Sequence, residues 1–266
     1  MLPNFLIIGA PRAGTSWLAK NLRAHPQIFM PAEKELHFFD RHFDKGTGYY
    51  EAFFDAASGE PAIGEATPEY LYLPEVAQRI QHVLPHCRLI LSLRNPVDRV
   101  YSRYWNAKAK FEANRALTFE EKLRQKPLFL DEGKYFSHLV RYYQYFPPER
   151  FLILLHEDIR TNPAGCLRRT YEFLGVDPSF EPAFMTERVN AAADKPFLAR
   201  SRLLYYIHKA AGRAGLRSIA RWLADNNAAE LPAMSPETRR WLAEDVYGME
   251  NRKLEELTGI DVSRWT

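Results

Sequence analysis

The chain has 266 residues, with 36 Lys and Arg against 33 Asp and Glu, which gives a formal net charge of +3. A composition of 46% hydrophobic and 14% aromatic residues excludes an intrinsically disordered chain. The balanced charge excludes a strongly basic nucleic-acid binder, and the distant Cys87 and Cys166 exclude a disulfide framework. Because Met1 to Ala10 lacks a basic leader-like region and no linker interrupts the chain, we expect one cytoplasmic domain over residues 1–266.

Five short apolar runs predict the strands of a parallel sheet. They are apolar throughout instead of alternating, which is typical of strands covered by helices on both faces. Helical patterns separate them, so we predict a three-layer α/β/α fold with a mainly helical C-terminal part. The predicted strands are 5–8, 28–30, 62–64, 88–93 and 151–155, and the predicted helices are 15–24, 74–83, 96–110, 135–145, 164–174, 201–224 and 236–257.

The first strand leads into a loop that suits phosphate binding. Four residues separate Gly9 from Gly14, and Thr15 and Ser16 open the following helix. Backbone N–H groups converge at such a turn, and the helix N-terminus adds positive charge. The spacing is that of the Walker A loop of P-loop NTPases, which suggests a P-loop-NTPase-like sheet. The lysine that usually precedes the threonine is missing, and Arg12 is the cation within the loop. We predict an anion site here; a simple tight turn is the alternative.

The fourth strand ends in Arg94, where a nucleotide hydrolase would carry an acidic residue to hold Mg²⁺. The carboxyl end of a parallel strand lies at the ligand crevice, so Arg94 adds a second anion-binding group there. Ser102 follows two helical turns later and can face the same crevice. The alternative for Arg94 is a surface ion pair with Asp98. Together, the two motifs predict a ligand with two separated phosphates and no metal requirement.

These motifs, GAPRAGTSW and LRNPVDRVYSRYW, resemble the 5′-phosphosulfate loop and the 3′-phosphate motif of sulfotransferases that use 3′-phosphoadenosine 5′-phosphosulfate (PAPS). The nearest branch by resemblance is that of bacterial enzymes related to heparan-sulfate-type glucosaminyl sulfotransferases. The resemblance implies sulfuryl transfer from PAPS, release of 3′-phosphoadenosine 5′-phosphate (PAP) and no metal. It implies nucleotide contacts at Arg12, Ala13, Gly14, Thr15, Ser16, Trp17, Arg94 and Ser102.

The block Lys34 to Asp40 carries the candidate catalytic groups. In the resembling enzymes this pattern contains the general base, a role that falls on Glu35, while Arg12 would stabilise the leaving phosphate. His37 is the alternative base, because a neutral imidazole can accept a proton near pH 7. Other acidic and histidine residues nearby match no helical i,i+4 ligand pair, so we expect no metal site.

Further along the chain, Glu65, Tyr70 and Tyr135 resemble positions near the family's acceptor site, so we expect them to contact substrate. The alternative for Tyr70 is a side chain that faces the core. Ala66 stands where related glycan enzymes carry a lysine. The expected acceptor is a hydroxyl, less often an amine, of a carbohydrate, a glycolipid or a small metabolite. The alternatives are a P-loop kinase-like phosphotransferase and a non-catalytic nucleotide-binding module.

Residues 195–224 contain seven Lys or Arg and no acidic residue. By resemblance, Lys195 and Arg200 would close over the adenine and the 3′-phosphate. The same stretch is amphipathic, which suggests peripheral contact with an anionic membrane as a second interpretation. A solvated helix face is the third.

Overall fold

The computed structural model describes residues 1–110, 117–186, 202–213, 215–216, 219–220, 222–223 and 232–265. Five strands form one sheet in the order β2-β3-β1-β4-β5, and every neighbouring pair is parallel. The predicted α/β fold is therefore confirmed. The strands are β1 (Phe5–Gly9), β2 (Ile28–Phe29), β3 (Ala62–Ala66), β4 (Arg88–Leu93) and β5 (Phe151–Leu155).

Helices surround this sheet and include several short ones that the sequence patterns did not indicate. In the described part of the chain they are α1 (Thr15–Arg23), α2 (Phe38–Arg41), α3 (Gly46–Glu51), α4 (Val76–Val83), α5 (Pro96–Lys110), α6 (Phe119–Gln125), α7 (Leu128–Asp131), α8 (Tyr135–Tyr143), α9 (His156–Thr161), α10 (Pro163–Leu174), α11 (Arg202–Arg213), α12 (Pro236–Trp241) and α13 (Gly248–Thr258). Single 3-10 turns occupy Phe43–Lys45, Ala52–Phe54, Pro68–Leu71, Pro148–Arg150 and Ser263–Trp265.

The central strand β1 shows why its sequence is apolar throughout. All five of its residues are buried, and successive side chains point to opposite faces of the sheet. Leu6 and Ile8 belong to one apolar cluster, together with residues of α4, α8 and α13. Phe5 and Ile7 belong to a second cluster, together with residues of α1 and α10. The three predicted layers follow from this alternation.

A third apolar cluster joins α5 and α6 to the C-terminal helices, through Val100, Phe119 and Leu242 among others. Residues 236–257 are helical over most of their length, as predicted, but they form more than one helix. A π-helical turn at Leu242–Val246 ends the run begun by α12, and α13 starts afresh at Gly248. Among the described residues, no helix has both the length and the apolarity needed to cross a membrane.

Candidate active site

The loop between β1 and α1 is shaped to expose backbone N–H groups. Gly14 precedes the helix with φ of 98°, and Arg12 also adopts a left-handed backbone with φ of 70°. Glycine is required at the first of these positions because a Cβ there would come within 3.0 Å of His156 Nδ1. Since glycine has no side chain to cap α1, the first-turn N–H groups remain available for an anion.

Arg12, Arg94 and Ser102 meet at this loop although they come from separate parts of the sequence. Arg12 Nε donates to Ser102 Oγ at 3.2 Å, and Arg94 Nη1 donates to the Arg12 carbonyl at 3.4 Å. Burial lowers the pKa of Arg12, and the positive charges of Arg94 and Arg103 lower it further. The predicted cations are thus gathered into one half-buried cluster, a setting in which a bound anion would be stabilising.

Lys34 connects the loop to the candidate base. Its Nζ donates to Ser16 Oγ at 2.8 Å and to Glu35 Oε1 at 3.1 Å. Glu35 and His37 have φ of 66° and 53°, a left-handed conformation that side chains rarely adopt. Such strain is most often found at functional sites, where the surrounding structure maintains it. Both candidate bases named from the sequence therefore lie on one constrained segment beside the anion loop.

The His37 ring is oriented by Asp40, whose Oδ2 lies 2.8 Å from Nδ1. That hydrogen bond raises the pKa of His37, and the same contact lowers the pKa of Asp40 against the effect of burial. The other ring nitrogen, Nε2, lies 4.0 Å from Glu35 Oε2. The imidazole can thus hold a positive charge beside the Glu35 carboxylate.

Glu69 is a carboxylate that the sequence analysis did not single out. One side-chain ligand atom from each of Glu35, His37 and Glu69 lies within 4.8 Å of the other two. Burial raises the pKa of Glu69, and the negative charge of Glu35 raises it further. The position of Glu69 just beyond β3 could have indicated that it lies near the site, because the carboxyl ends of parallel strands share one edge of the sheet.

Glu65, Tyr70 and Tyr135, which the sequence predicts as acceptor contacts, are buried, with at most 2% of each residue exposed. Thr67 Oγ1 donates to Glu65 Oε2 at 2.8 Å and accepts from the His37 backbone N–H at 3.4 Å. The Tyr70 hydroxyl accepts from the Phe39 backbone N–H at 3.3 Å, and the Tyr135 hydroxyl donates to the Arg94 carbonyl at 2.9 Å. All three therefore brace the segments that present the reactive groups.

His156 is a second residue that the sequence analysis missed. It follows β5 directly, at the same sheet edge as the anion loop, and its Nδ1 faces Gly14. Burial lowers the pKa of His156 to about 4, and the charge of Arg94 contributes in the same direction. The imidazole is therefore neutral at physiological pH.

The remaining predicted nucleotide contacts divide into two groups. Ala13, Thr15 and Trp17 are buried within the loop and α1, and Trp17 Nε1 donates to the Met185 carbonyl at 2.8 Å. Lys195 and Arg200 lie outside the described residues.

Comparison with known proteins defines the class. Residues 2–195 match the sulfotransferase domain family, and the chain belongs to that family. It is similar to heparan sulfate glucosamine 3-O-sulfotransferase 6 of Mus musculus, with 33% identity over 180 residues that cover 65% of this chain and 52% of the relative. It is also similar to bifunctional heparan sulfate N-deacetylase/N-sulfotransferase 3 of Homo sapiens, with 31% identity over 199 residues that cover 67% and 23%. The chain thus spans about half or less of the length of these curated relatives.

The solved structures agree. A sulfotransferase from Alicyclobacillus acidocaldarius superposes with a TM-score of 0.75 at 26% identity, covering 100% of this chain and 99% of the other. A sulfotransferase domain from the curacin biosynthetic pathway shares the fold, with a TM-score of 0.54 at 16% identity over 92% of this chain and 97% of that domain. The chain accordingly contains a sulfotransferase domain, a class of domain whose chemistry is sulfuryl transfer.

Proposed function

We propose that this protein transfers a sulfuryl group from PAPS to a hydroxyl of a carbohydrate, a glycolipid or a small metabolite, and less often to an amine. The observation that carries this proposal is the Lys34 bridge, which joins Ser16 of the anion loop to Glu35 through bonds of 2.8 and 3.1 Å. A single side chain thereby connects a phosphate-binding loop to a candidate base. Transfer chemistry needs those two parts close together.

The donor fits the cation cluster. The 5′-phosphosulfate would lie on the N-terminus of α1, held by the backbone of Ala13 and Gly14 and by the hydroxyls of Thr15 and Ser16. Arg94 and Ser102 would hold the 3′-phosphate at the adjoining strand end. Because these protein cations can neutralise the phosphates, we propose that no metal is required.

The transfer step is an in-line displacement. Glu35 accepts the proton of the acceptor hydroxyl while that oxygen forms a bond to sulfur. The bond between sulfur and the 5′-phosphate oxygen breaks, and its electron pair remains on the phosphate. Arg12 and Lys34 stabilise the developing negative charge. His37, held by Asp40 at 2.8 Å, is the alternative base.

The acceptor class draws on the relatives and on the local charges. The curated relatives are named for heparan sulfate glucosamine, which supports a sugar hydroxyl as the first acceptor to test. Ala66 removes one cation from the expected cleft, and Glu69 adds a carboxylate next to Glu35. A cleft with one positive charge fewer and one negative charge more attracts a polyanion less strongly. This supports an acceptor that is less heavily sulfated than a mature glycosaminoglycan chain.

The decisive experiment is a screen of acceptor classes with ³⁵S-labelled PAPS, in parallel with γ-labelled ATP, with and without EDTA. We expect label transfer from PAPS that EDTA leaves unchanged. Transfer from ATP that depends on Mg²⁺ would favour the kinase-like alternative. PAP binding without any label transfer to any acceptor would favour the non-catalytic module.

For residues 195–224 we propose two roles, closure of Lys195 and Arg200 over the nucleotide and peripheral contact with anionic lipid. The described part of this segment supports the second role, because Tyr206 and Trp222 are 65% and 64% exposed within a stretch of seven positive charges. Co-sedimentation with phosphatidylserine vesicles tests it. Binding that does not weaken with salt would contradict the electrostatic part of this proposal.

A further inference from the structure

Arg103 is a cation of the active-site wall that the proposed mechanism does not use. It follows Ser102 on α5, and its Nε lies 3.3 Å from Glu132 Oε1 and 3.2 Å from Oε2. Glu132 is also bound by Arg99 at 2.8 Å, and the side chains of that pair are only 1% and 0% exposed. The Phe129 ring packs against the Arg103 guanidinium, with its centroid 5.6 Å from Cζ. The contacts with Glu132 and Phe129 therefore hold the Arg103 side chain in place.

The charges of this cluster do not balance. Arg99 and Arg103 share the Glu132 carboxylate, so positive charge exceeds negative charge by one within these three residues. The Glu69 carboxylate also interacts with Arg103. The positive charge of Arg103 acts on the active site, since it lowers the pKa of Arg12. Two neighbouring guanidinium groups repel each other, and an anion between them converts the repulsion into attraction. The arrangement thus favours a bound anion in front of Arg103.

The guanidinium can also reach a ligand. The Arg103 side chain is 24% exposed, and in the described part of the structure no hydrogen bond engages its two terminal nitrogens. Its charge also acts on Glu69, which lies beside Glu35 and His37. Arg103 directly follows Ser102, whose Oγ accepts from Arg12 Nε at 3.2 Å, so it belongs to the stretch of α5 that lies against the cation cluster. A guanidinium fork at that place suits a carboxylate, a sulfate or a phosphate.

We propose that Arg103 binds an anionic oxygen group at the transfer site, either an acidic group carried by the acceptor or the sulfuryl group of the donor. This inference rests on the proposed function, because it assigns the ligand of that same site. The buried Arg99–Glu132 pair serves as its anchor, so the fork is oriented before any ligand arrives.

The test uses Arg103→Gln, Arg103→Lys and the control Arg252→Gln, which removes an exposed cation of α13. Inorganic sulfate is titrated into the PAP-loaded protein, in which the nucleotide phosphates already occupy the loop. We expect Arg103→Gln to weaken sulfate binding at least tenfold, Arg103→Lys to weaken it less, and Arg252→Gln to leave it unchanged. Equal sulfate affinity in the wild type and Arg103→Gln would overturn the proposal.

Two further arms separate the two sources of the anion. If the sulfuryl group is the ligand, the preference for PAPS over PAP falls in Arg103→Gln. If an acidic group of the acceptor is the ligand, the wild type binds 4-nitrophenyl glucuronide more tightly than the matched glucoside, and Arg103→Gln loses that preference. A variant that keeps both preferences contradicts the proposal.

Two controls keep the outcomes distinct. A melting temperature for Arg103→Gln close to that of the wild type shows that the Arg99–Glu132 anchor persists. If that variant fails to fold, Arg103→Lys decides, because it keeps the charge and loses the fork. If PAP does not bind at all, the proposed donor is refuted, while titration of sulfate and the two glycosides into the nucleotide-free protein still tests Arg103.

Discussion

The two halves of the active site are built on different principles. On the donor side, Arg12 donates to Ser102 and Arg94 donates to the Arg12 carbonyl, so two cations and a hydroxyl group are already in position. On the acceptor side, Glu35 and His37 lie on a left-handed backbone, and Glu69 stands close to both. In the proposed function the first half is a preformed receptor for phosphate, whereas the second brings together two carboxylates and an imidazole.

This contrast indicates how the work of catalysis is divided. A preformed set of donors binds a fixed, highly charged nucleotide with little reorganisation. A cluster of carboxylates and imidazole can exchange a proton, and neighbouring charges contribute to the pKa shifts of His37 and Glu69. We therefore expect a substitution of Glu35 on the acceptor side to lower turnover and a substitution of Arg94 on the donor side to weaken nucleotide binding. Arg12 is the donor-side residue that we expect to affect turnover, because its proposed role is at the phosphate oxygen that leaves sulfur.

The largest expected effect is that of Glu35→Gln. Removing the general base should lower kcat by roughly a hundredfold to ten-thousandfold, while PAP affinity stays within about twofold of the wild type. Labelled transfer and calorimetry measure the two quantities. The matched control is Glu33→Gln, which removes a nearby carboxylate and should retain turnover. If turnover in Glu35→Gln is unchanged, Glu35 is not the general base. His37 is then the remaining candidate, or this segment has no catalytic role.

Next in size is the contrast between Arg12→Ala and Arg94→Ala. In the proposed mechanism Arg12 stabilises charge that develops during transfer, so we expect kcat to fall roughly a hundredfold to a thousandfold. Arg94 is proposed to hold a phosphate that does not react, so its loss should mainly raise the KM for PAPS. Steady-state kinetics with saturating acceptor distinguish the two. Near-normal kcat in Arg12→Ala at saturating PAPS would refute its assigned role.

The buried Glu65 gives a stability prediction. Its pKa of about 7, raised by burial from an ordinary 4.5, means that the folded protein keeps a proton that the unfolded chain has already released. The free energy of unfolding should therefore fall as pH rises from about 4.5 to 7, by roughly 1.4 kcal/mol per pH unit from this group. Glu65→Gln should remove that dependence. The measurement is urea unfolding of the wild type and Glu65→Gln at pH 5, 6 and 7. If the free energy of unfolding changes with pH equally in both proteins, the assignment is contradicted.

The smallest effect concerns Asp40→Asn, which distinguishes between the two candidate bases. Loss of the 2.8 Å hydrogen bond that raises the pKa of His37 should lower that pKa, as followed by NMR of the ring protons. With Glu35 as the base, the acid limb of the kcat/KM profile should not follow the change in His37. A limb that moves to lower pH together with the His37 titration would identify His37 as the base.

Much of the fold was accessible from local pattern. Continuous apolar runs predicted all five strands, and the glycine and hydroxyl residues after β1 predicted the anion loop. Short helices such as α2, α3 and α7 were missed, because four to six residues carry too little periodicity to be detected. The π-helical turn after α12 was missed for a related reason, since the apolar pattern continues through it.

The site was less predictable than the fold. Arg12, Glu35 and Arg94 could be named because each lies in a recognisable motif at a strand end. Glu65 and Tyr70 lie in such a motif too, yet their side chains turn into the core, a difference that no spacing in the sequence reports.

The sequence by itself determined the class of this protein, because two anion-binding motifs each follow a continuous apolar strand, and the carboxyl ends of parallel strands lie at one edge of a sheet. Only the tertiary structure decided which charges act together. Glu69 approaches Glu35 across 34 positions of chain, and Arg103 is fixed by Glu132, which lies 29 positions further along. Pairwise electrostatics depend on distances of a few ångströms, and packing of the whole chain sets those distances.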